Sequence, residues 1–273
     1  MKNELEMDHL DYLESRSIYI IREAYAKFKK IGMLWSIGKD STTLVWLARK
    51  AFYGKIPFSL VHIDTGHKFP EMYAFRDEWV KKWGLNFVVG RNEEAIKRGV
   101  ICKPGDTEAC SVELKTKGLQ MTIQEHGFKA LILGIRRDEH GIRAKERYFS
   151  PRDEQFRWNY KDQPPELWDQ FKSKQKEETH IRVHPLLDWT ELDVWMYIRR
   201  EGIPINSLYF AKNGYRYRSL GCKTSTSPIK SDADTVDKII EELKVTKLAE
   251  RSGRALDKEQ TYMMQKLRAL GYM

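Results

Sequence analysis

Short apolar runs alternate along the chain with stretches in which apolar residues recur every three or four positions. Residues 8–30 place Leu10, Leu13, Ile18, Ile21, Tyr25 and Phe28 on one side and predict an opening helix. Ile31 to Trp35 reads as a buried strand, and Leu44, Leu47 and Ala48 then fall at helical spacing. Phe58 to Ile63 predicts a second strand. Phe69-Pro70-Glu71 opens a third helix, with proline in its first turn and Met72, Phe75 and Trp79 on one face. Leu85 to Val89 is a further short strand, and Arg91 to Gly99 a small helix. A loop from Ile101 to Cys110, marked by Pro104-Gly105-Asp106, leads into a helix over Ser111 to His126. Lys129 to Ile135 is the clearest buried strand. This alternation predicts an α/β fold, an open and mostly parallel sheet with helices on both faces.

The character changes after residue 150. Pro164-Pro165, the aromatics Phe156, Trp158, Tyr160, Trp168 and Phe171, and the mixed-charge run Lys172 to Glu178 mark an irregular region. His180 to His184 alternates like a strand, and Thr190 to Ile198 is a helix bounded by Gly202 and Pro204. Residues 231–249 predict a charged amphipathic helix, and a basic surface tail runs to Met273. The expected organisation is an α/β core over 1–150. Residues 151–273 form the C-terminal portion of the same domain and serve as lid and partner-contact region. There is no internal repeat.

Composition narrows the class. Of the 273 residues, 41% are hydrophobic and 32% charged, which fits a soluble globular protein. The longest apolar runs are about six residues, too short for a transmembrane helix. The first residues, Met1 to Glu6, lack an apolar signal region, so a cytoplasmic location is expected. Cys102, Cys110 and Cys222 form a sparse, odd set without C-x-x-C, which predicts reduced thiols rather than a disulfide framework or a zinc site. His180 and His184 share a strand face but have no third ligand nearby, so no metal is expected there. The net charge of +9 suits nucleic acid or small polyanions. No nucleic-acid-binding motif is present, which favours the small anions.

The chemistry centres on Ser36-Ile37-Gly38-Lys39-Asp40-Ser41, a polar turn between the first strand and a helix. Such a turn aims backbone N–H groups and the positive end of a helix at one point, which suits phosphate. Ser36 and Ser41 add hydroxyls and Lys39 a mobile charge. Asp40 either caps the helix or holds Mg²⁺. Neither G-x-x-x-x-G-K-[ST] nor G-x-G-x-x-G occurs, which excludes a Walker-type NTPase or a dinucleotide fold by motif. Asp64 ends the second strand, where ligands of open α/β sheets sit. It meets ribose or metal there, or caps its own turn. Arg136 and Arg137 follow the strand at 129–135, with Arg143, Lys145, Arg147 and Arg152 behind them. So many arginines favour anion binding over a solvated loop. Lys115 is a ligand candidate and Cys110 a small semi-buried thiol. Arg216 and Arg218 precede the turn at Gly221.

The Ser-x-Gly-x-Asp-Ser turn after a first strand resembles the pyrophosphate loop of the PP-loop ATP-pyrophosphatase superfamily. Ile37 replaces the glycine usual there, which with its flanks is similar to the branch that handles adenylyl sulfate. Leu60–Asp77, Ala109–Leu119, Gly134–Arg157, Pro185–Tyr197, Arg218–Cys222 and Glu250-Arg251-Ser252-Gly253-Arg254 extend the similarity to the small catalytic subunits of two-subunit bacterial sulfate adenylyltransferases. The segment from Tyr209 to Arg216 is shorter than usual in that family, and Lys223 to Pro228 departs from it.

This resemblance implies an adenine nucleotide alpha hydrolase-like fold and a reaction of ATP with sulfate to give adenylyl sulfate and pyrophosphate. It implies Mg²⁺ with ATP, and neither zinc nor an iron–sulfur cluster. It places Ser36 to Ser41, Asp64 and Lys115 at ATP, and Arg218 near the substrate anion. Sulfate is already ionised and needs no general base, so catalysis would rest on positioning and charge neutralisation. Lys39, the loop N–H groups and Mg²⁺ would hold the β- and γ-phosphates. Some of Arg136, Arg137, Arg143, Arg147 and Arg218 would hold sulfate or the α-phosphate. A reductase of adenylyl or phosphoadenylyl sulfate is the alternative on the same fold, but it needs a cysteine near the C-terminus and none follows Cys222. Thiolation of tRNA would call for paired cysteines. A non-catalytic nucleotide sensor sits poorly with the intact loop. The phosphosulfate bond costs more than the bond cut in ATP, and the chain shows one nucleotide loop and no second motor. The family's separate, large GTPase subunit is therefore the expected partner, with the region from Phe156 to Phe171 and the C-terminal segment as contact surfaces.

Overall fold

The computed structural model describes residues 8–101, 107–161, 163, 165–166, 168, 171, 180–253 and 269–270. Cys102, Pro104 to Asp106, Pro164, the Lys172–Glu178 run, Arg254 and most of the tail lie outside them.

Helix α1 (His9–Lys27) starts where the Asp8 carboxylate accepts from the Asp11 amide at 2.8 Å, and it buries Leu10, Leu13, Ile20, Ile21 and Ala24. Strand β1 (Ile31–Leu34) follows, then α2 (Lys39–Ala51), β2 (Ser59–Ile63), α3 (Pro70–Lys82) and β3 (Phe87–Gly90). Two short helices, α4 (Glu93–Lys97) and α5 (Thr107–Cys110), lead to a π-helical stretch over Ser111–Lys117 and then α6 (Gly118–His126). The helix expected over 111–126 is thus present but wound more widely in its first half, a geometry that recurs at functional sites. Strand β4 (Ala130–Ile132), β5 (Phe149–Arg152), β6 (His180–Val183) and α7 (Glu191–Glu201) continue the chain. Thr190 and Asp193 form a capping box at the start of α7, and Gly202 ends it in the left-handed conformation. A small ribbon of β7 (Tyr215–Arg216) and β8 (Ile229–Lys230) precedes α8 (Val236–Val245).

The main sheet runs β3-β2-β1-β4-β6-β5, parallel except for β5, which pairs antiparallel with β6. Alternate residues of each strand feed two cores, as the pleat dictates. Met33, Leu60, Ala130 and Ile132 pack with α1, α2 and α7, whereas Leu34, Val61, Leu131 and Leu133 pack with Leu119 and Ile123 of α6. Helices therefore cover both faces, as the alternation predicts. Strand β6 lies beside β4, so the segment beyond residue 150 contributes to the same sheet. The edge strand β5 lies within a stretch expected only as an arginine-rich segment. The expectation of reduced thiols holds for Cys222, a buried thiol outside any disulfide, but not for Cys110, which is disulfide-bonded. A cysteine count carries no information on which thiols the fold brings together. Among the described residues no helix is long and apolar enough to cross a membrane.

Candidate active site

A cavity opens at the carboxyl ends of β1, β2 and β4. Leu34 and Trp35, Val61 and Ile63, and Leu133 to Ile135 form its floor, and it spans about 1000 Å³ counting its open mouth. Ser36, Gly38, Lys39, Asp40 and Ser41 make one wall. Ile37 makes the turn with a φ of +66°, a region that a β-branched residue rarely enters, while its side chain is buried in the core. A glycine would adopt this backbone freely; here core packing holds Ile37 in it. The Ser36 and Ser41 hydroxyls lie 3.0 Å apart, and Ser41 donates to the Gly38 carbonyl at 3.1 Å. Gly38 is the N-cap of α2 and offers no side chain, so Asp40 does not cap the helix but sits in its first turn, facing the cavity. The Lys39 amide donates to the Tyr209 hydroxyl at 2.9 Å. Gly134 lets β4 approach this turn: a Cβ there would meet the Asp40 carbonyl at 3.1 Å and Ser41 Cα at 3.2 Å.

The wall is backed by a dense ionic network. Lys39, 1% exposed, donates to Asp40 at 3.3 Å and to Glu250, with Glu191 3.9 Å away. Arg136, fully buried, meets Asp40, Glu250 and, through Nε at 2.9 Å, Asp138. Glu191 takes the Arg218 guanidinium through both oxygens, Nε at 3.2 and 3.0 Å and Nη2 at 2.6 Å. Burial alone would lower the Lys39 pKa, but Glu250 and Glu191 raise it above the ordinary lysine value. Burial would raise the Glu250 carboxyl, yet Arg136 and Lys39 hold it below its usual range. Burial pushes Glu191 up, and the neighbouring Glu250 charge adds to that. Also in the lining, Glu139 bridges Arg143 and Arg251, the latter at 3.1 Å.

Of the residues expected at the site, Ser36, Gly38, Lys39, Asp40, Ser41, Lys115 and Arg143 line the cavity together. Lys115 projects from the π-helical stretch. Arg136 and Arg218 lie behind the wall, saturated by carboxylates. Arg137 pairs with Asp188 and lies 5.3 Å from the Tyr148 ring centroid. Arg147 and Arg152 are not in the lining either, and Arg152 is buried against Glu146 at 2.9 Å. Asp64 stands at the end of β2 but turns to its own neighbourhood: it accepts from Gly66 N at 2.9 Å, Tyr73 Oη at 2.7 Å and Arg91 Nε at 3.1 Å. Burial opposes its ionisation, but these donors, Arg91 foremost, bring its pKa down to about 2. Sequence reasoning missed Lys68, Glu139, Tyr209, Glu250 and Arg251, whereas Ser219–Gly221, within the Arg218–Cys222 stretch that carries the resemblance, does line the cavity. The similarity over residues 250–254 was the one available signal for Glu250 and Arg251.

Comparison with known proteins bears on this arrangement. The family model of the phosphoadenosine phosphosulfate reductase domain matches residues 30–228. The chain is 42% identical to sulfate adenylyltransferase subunit 2 of Marinomonas sp. (strain MWYL1), covering 98% of this chain and 99% of the relative. It is also 42% identical to the protein of that name from Bacteroides fragilis (strain YCH46), covering all of both. Among solved structures, phosphoadenylyl-sulfate reductase from Candida auris in a phosphate complex superposes with a TM-score of 0.55 at 19% identity, covering 83% of this chain and all of that one. FMN adenylyltransferase from Candida glabrata with ATP gives 0.56 at 19% identity, covering 83% and 67%. At such identities these two structures speak to the fold, and it is the fold found here.

Proposed function

The chain belongs to the sulfate adenylyltransferase subunit 2 family, and on that premise we propose that its cavity seats ATP with the β- and γ-phosphates at the Ser36–Ser41 turn and sulfate near Arg143. A sulfate oxygen attacks the α-phosphorus, the bond from that phosphorus to the β-bridging oxygen breaks, and adenylyl sulfate and pyrophosphate result. Bringing two polyanions together needs fixed cations more than proton transfer, so positioning and electrostatics carry the rate. The observation that carries this reading is the convergence of Lys39, Lys115, Lys68 and Arg143 on one cavity beside the Ser36–Ser41 turn. Lys39 and the turn neutralise the departing pyrophosphate. Arg136 and Arg218 act from behind the wall by fixing Asp40 and Glu191. Asp64 shapes the end of β2 beside the adenosine.

Mg²⁺ enters with ATP as part of the substrate. Asp40, the carboxylate of the turn that lines the cavity, suits it: Mg²⁺ is commonly held by one or two carboxylates plus phosphates and water. Among the described residues there is no cluster of three metal-ligating side chains, so the donor set is a docking point and not a cage. The ion would draw charge from the phosphates. Cys222 follows Gly221 of the wall but is fully buried, its Sγ 3.3 Å from Thr65 Oγ1. No cysteine lines the cavity among the described residues, which disfavours the reductase alternative. The subunit naming of the relatives supports a partner subunit. A large GTPase fits best, because adenylyl sulfate formation is uphill and this chain has one nucleotide loop. We place the reaction in the cytoplasm, where ATP is available.

Sulfate-dependent exchange of labelled pyrophosphate into ATP tests the chemistry. Label should enter ATP when sulfate is present and not otherwise; exchange independent of sulfate, or none, overturns the reading. Synthesis by the chain alone and with the GTPase tests the partner, with co-elution and a rate that rises with GTP expected.

A further inference from the structure

The turn at Glu250–Gly253 lies more than 200 residues from the Ser36–Ser41 turn in sequence, yet its first two side chains are built into the ionic network around the cavity. Glu250 gives one carboxylate oxygen to Lys39 Nζ and the other to Arg136 Nη2, so a single side chain ties the α2 turn to the end of β4. Arg251 engages a different carboxylate. It lines the cavity and donates to Glu139 at 3.1 Å, while the second Glu139 oxygen holds Arg143, another lining residue. Two carboxylates thus each bridge two cations, Glu250 joining Lys39 to Arg136 and Glu139 joining Arg143 to Arg251. The turn is anchored from upstream by Arg218, whose Nη1 donates to the Leu248 carbonyl at 2.7 Å. Glu250 is not part of the cavity lining, so it does not occupy the space a ligand would fill.

Resting on the reading above, we infer that this turn is a working part of the anion site: Glu250 is a positioning residue for Lys39 and Arg136, and Arg251 contacts a substrate anion directly. A lysine as deeply buried as Lys39 needs a fixed counter-charge to stay ionised and aimed, and cations fixed before the substrate arrives need no reorganisation during the reaction. Glu250 supplies that fixation. Arg251, with a planar guanidinium of permanent charge, suits a sulfate or phosphate oxygen pair.

The test compares Glu250→Gln, Glu250→Asp, Arg251→Gln and Arg251→Lys by steady-state kinetics in both substrates. Calorimetric binding of a non-hydrolysable ATP analogue with Mg²⁺ runs in parallel. Glu250→Gln should lower kcat by about ten- to a hundredfold with a smaller change in either KM, and Glu250→Asp should recover part of it. Arg251→Gln should raise KM for ATP or sulfate about tenfold, with partial rescue by lysine. All four variants within twofold of the parent would overturn the inference. Tighter binding of the analogue by Glu250→Gln would also overturn it, because the carboxylate would then be a competitor and not a support. If Glu250→Gln does not fold, Glu250→Asp and the Arg251 pair decide the matter by the same thresholds. If the parent shows no sulfate-dependent exchange, the functional reading fails on its own, and weaker analogue binding by the variants still separates a working turn from a passive one.

Discussion

Two buried ionic clusters sit on this sheet, and they differ in what surrounds them. At the carboxyl ends of the strands, Lys39, Arg136, Arg143, Arg218 and Arg251 share Asp40, Asp138, Glu139, Glu191 and Glu250, and several of these side chains face an open cavity. Beneath the antiparallel edge, Arg152 and Glu146 pair at 2.9 Å with both side chains fully buried. Arg152 also donates to Ser150 Oγ at 2.7 Å and lies 5.3 Å from the Trp158 ring centroid, and His184 Nδ1 donates to the Arg147 carbonyl at 2.8 Å. The register puts the Arg152 backbone opposite His180, its guanidinium reaches back to Ser150 and Glu146, and neither Arg152 nor Glu146 lines the cavity. Burial of charge is therefore no sign of chemistry by itself. A closed pair fixes local packing, whereas the network at the strands' carboxyl ends presents Lys39, Arg143 and Arg251 to an open cavity.

The sharpest way to break this contrast is to cut the closed pair. Arg152→Ala takes the paired guanidinium away from the buried Glu146 carboxylate and should destabilise the fold by about 3–5 kcal/mol in chemical denaturation. Its kcat/KM, measured well below the melting point, should stay within about twofold of the parent's, since Arg152 does not line the cavity. Lys39→Ala should behave in the opposite way. Adenylyl sulfate formation should drop by at least about a hundredfold, roughly 3 kcal/mol of barrier, with cooperative unfolding retained. Near-normal activity would remove the Ser36–Ser41 turn from the mechanism. Gly134→Ala lies between the two, since the added methyl would press on the backbone of Asp40 and Ser41. A stability loss of about 1–3 kcal/mol together with a raised KM for ATP is expected.

The smallest effect concerns Asp64. Its folded pKa of about 2 lies below the ordinary 3.8, so ionised Asp64 stabilises the fold above about pH 4. That contribution is lost as pH falls through the range from about 4 to 2. Its size is roughly 1–2 kcal/mol, discounted because Arg91 is half exposed. Denaturant titrations of the parent and Asp64→Asn should differ at pH 7 and converge by that amount toward pH 2. A constant gap across the range would show that Asp64 carries no such linkage.

The parallel framework was legible in the sequence because β1, β2 and β4 are apolar on both faces and are separated by helical periodicity. Strand β5 was not, since Pro151 and the charged residues around it mask the alternation and its hydrogen bonds come from β6, some thirty residues on. The π-helical stretch was invisible for a different reason: its apolar spacing over Val112 to Lys117 is short enough to fit an α-helix equally well. At the site, the Ser36–Ser41 turn could be read because its serines, glycine and lysine are contiguous. The arginines could be counted but not aimed. Arg136 is drawn behind the wall by Glu250 and Asp138, and Arg137 is claimed by Asp188. Asp138 is local, but Glu250 and Asp188 come from other segments, and no local pattern announces them.

The bond between Lys39 and Glu250 spans 211 positions. For a flexible chain, joining ends that far apart costs about 5 kcal/mol of configurational entropy, more than one ion pair returns. The cost falls only when the intervening sheet has already shortened the path, so this contact is a late event in folding, conditional on nearly everything between. Recovery of nucleotide binding after dilution from denaturant should therefore lag the recovery of secondary structure, and a partly assembled chain would display its sheet without a finished phosphate pocket.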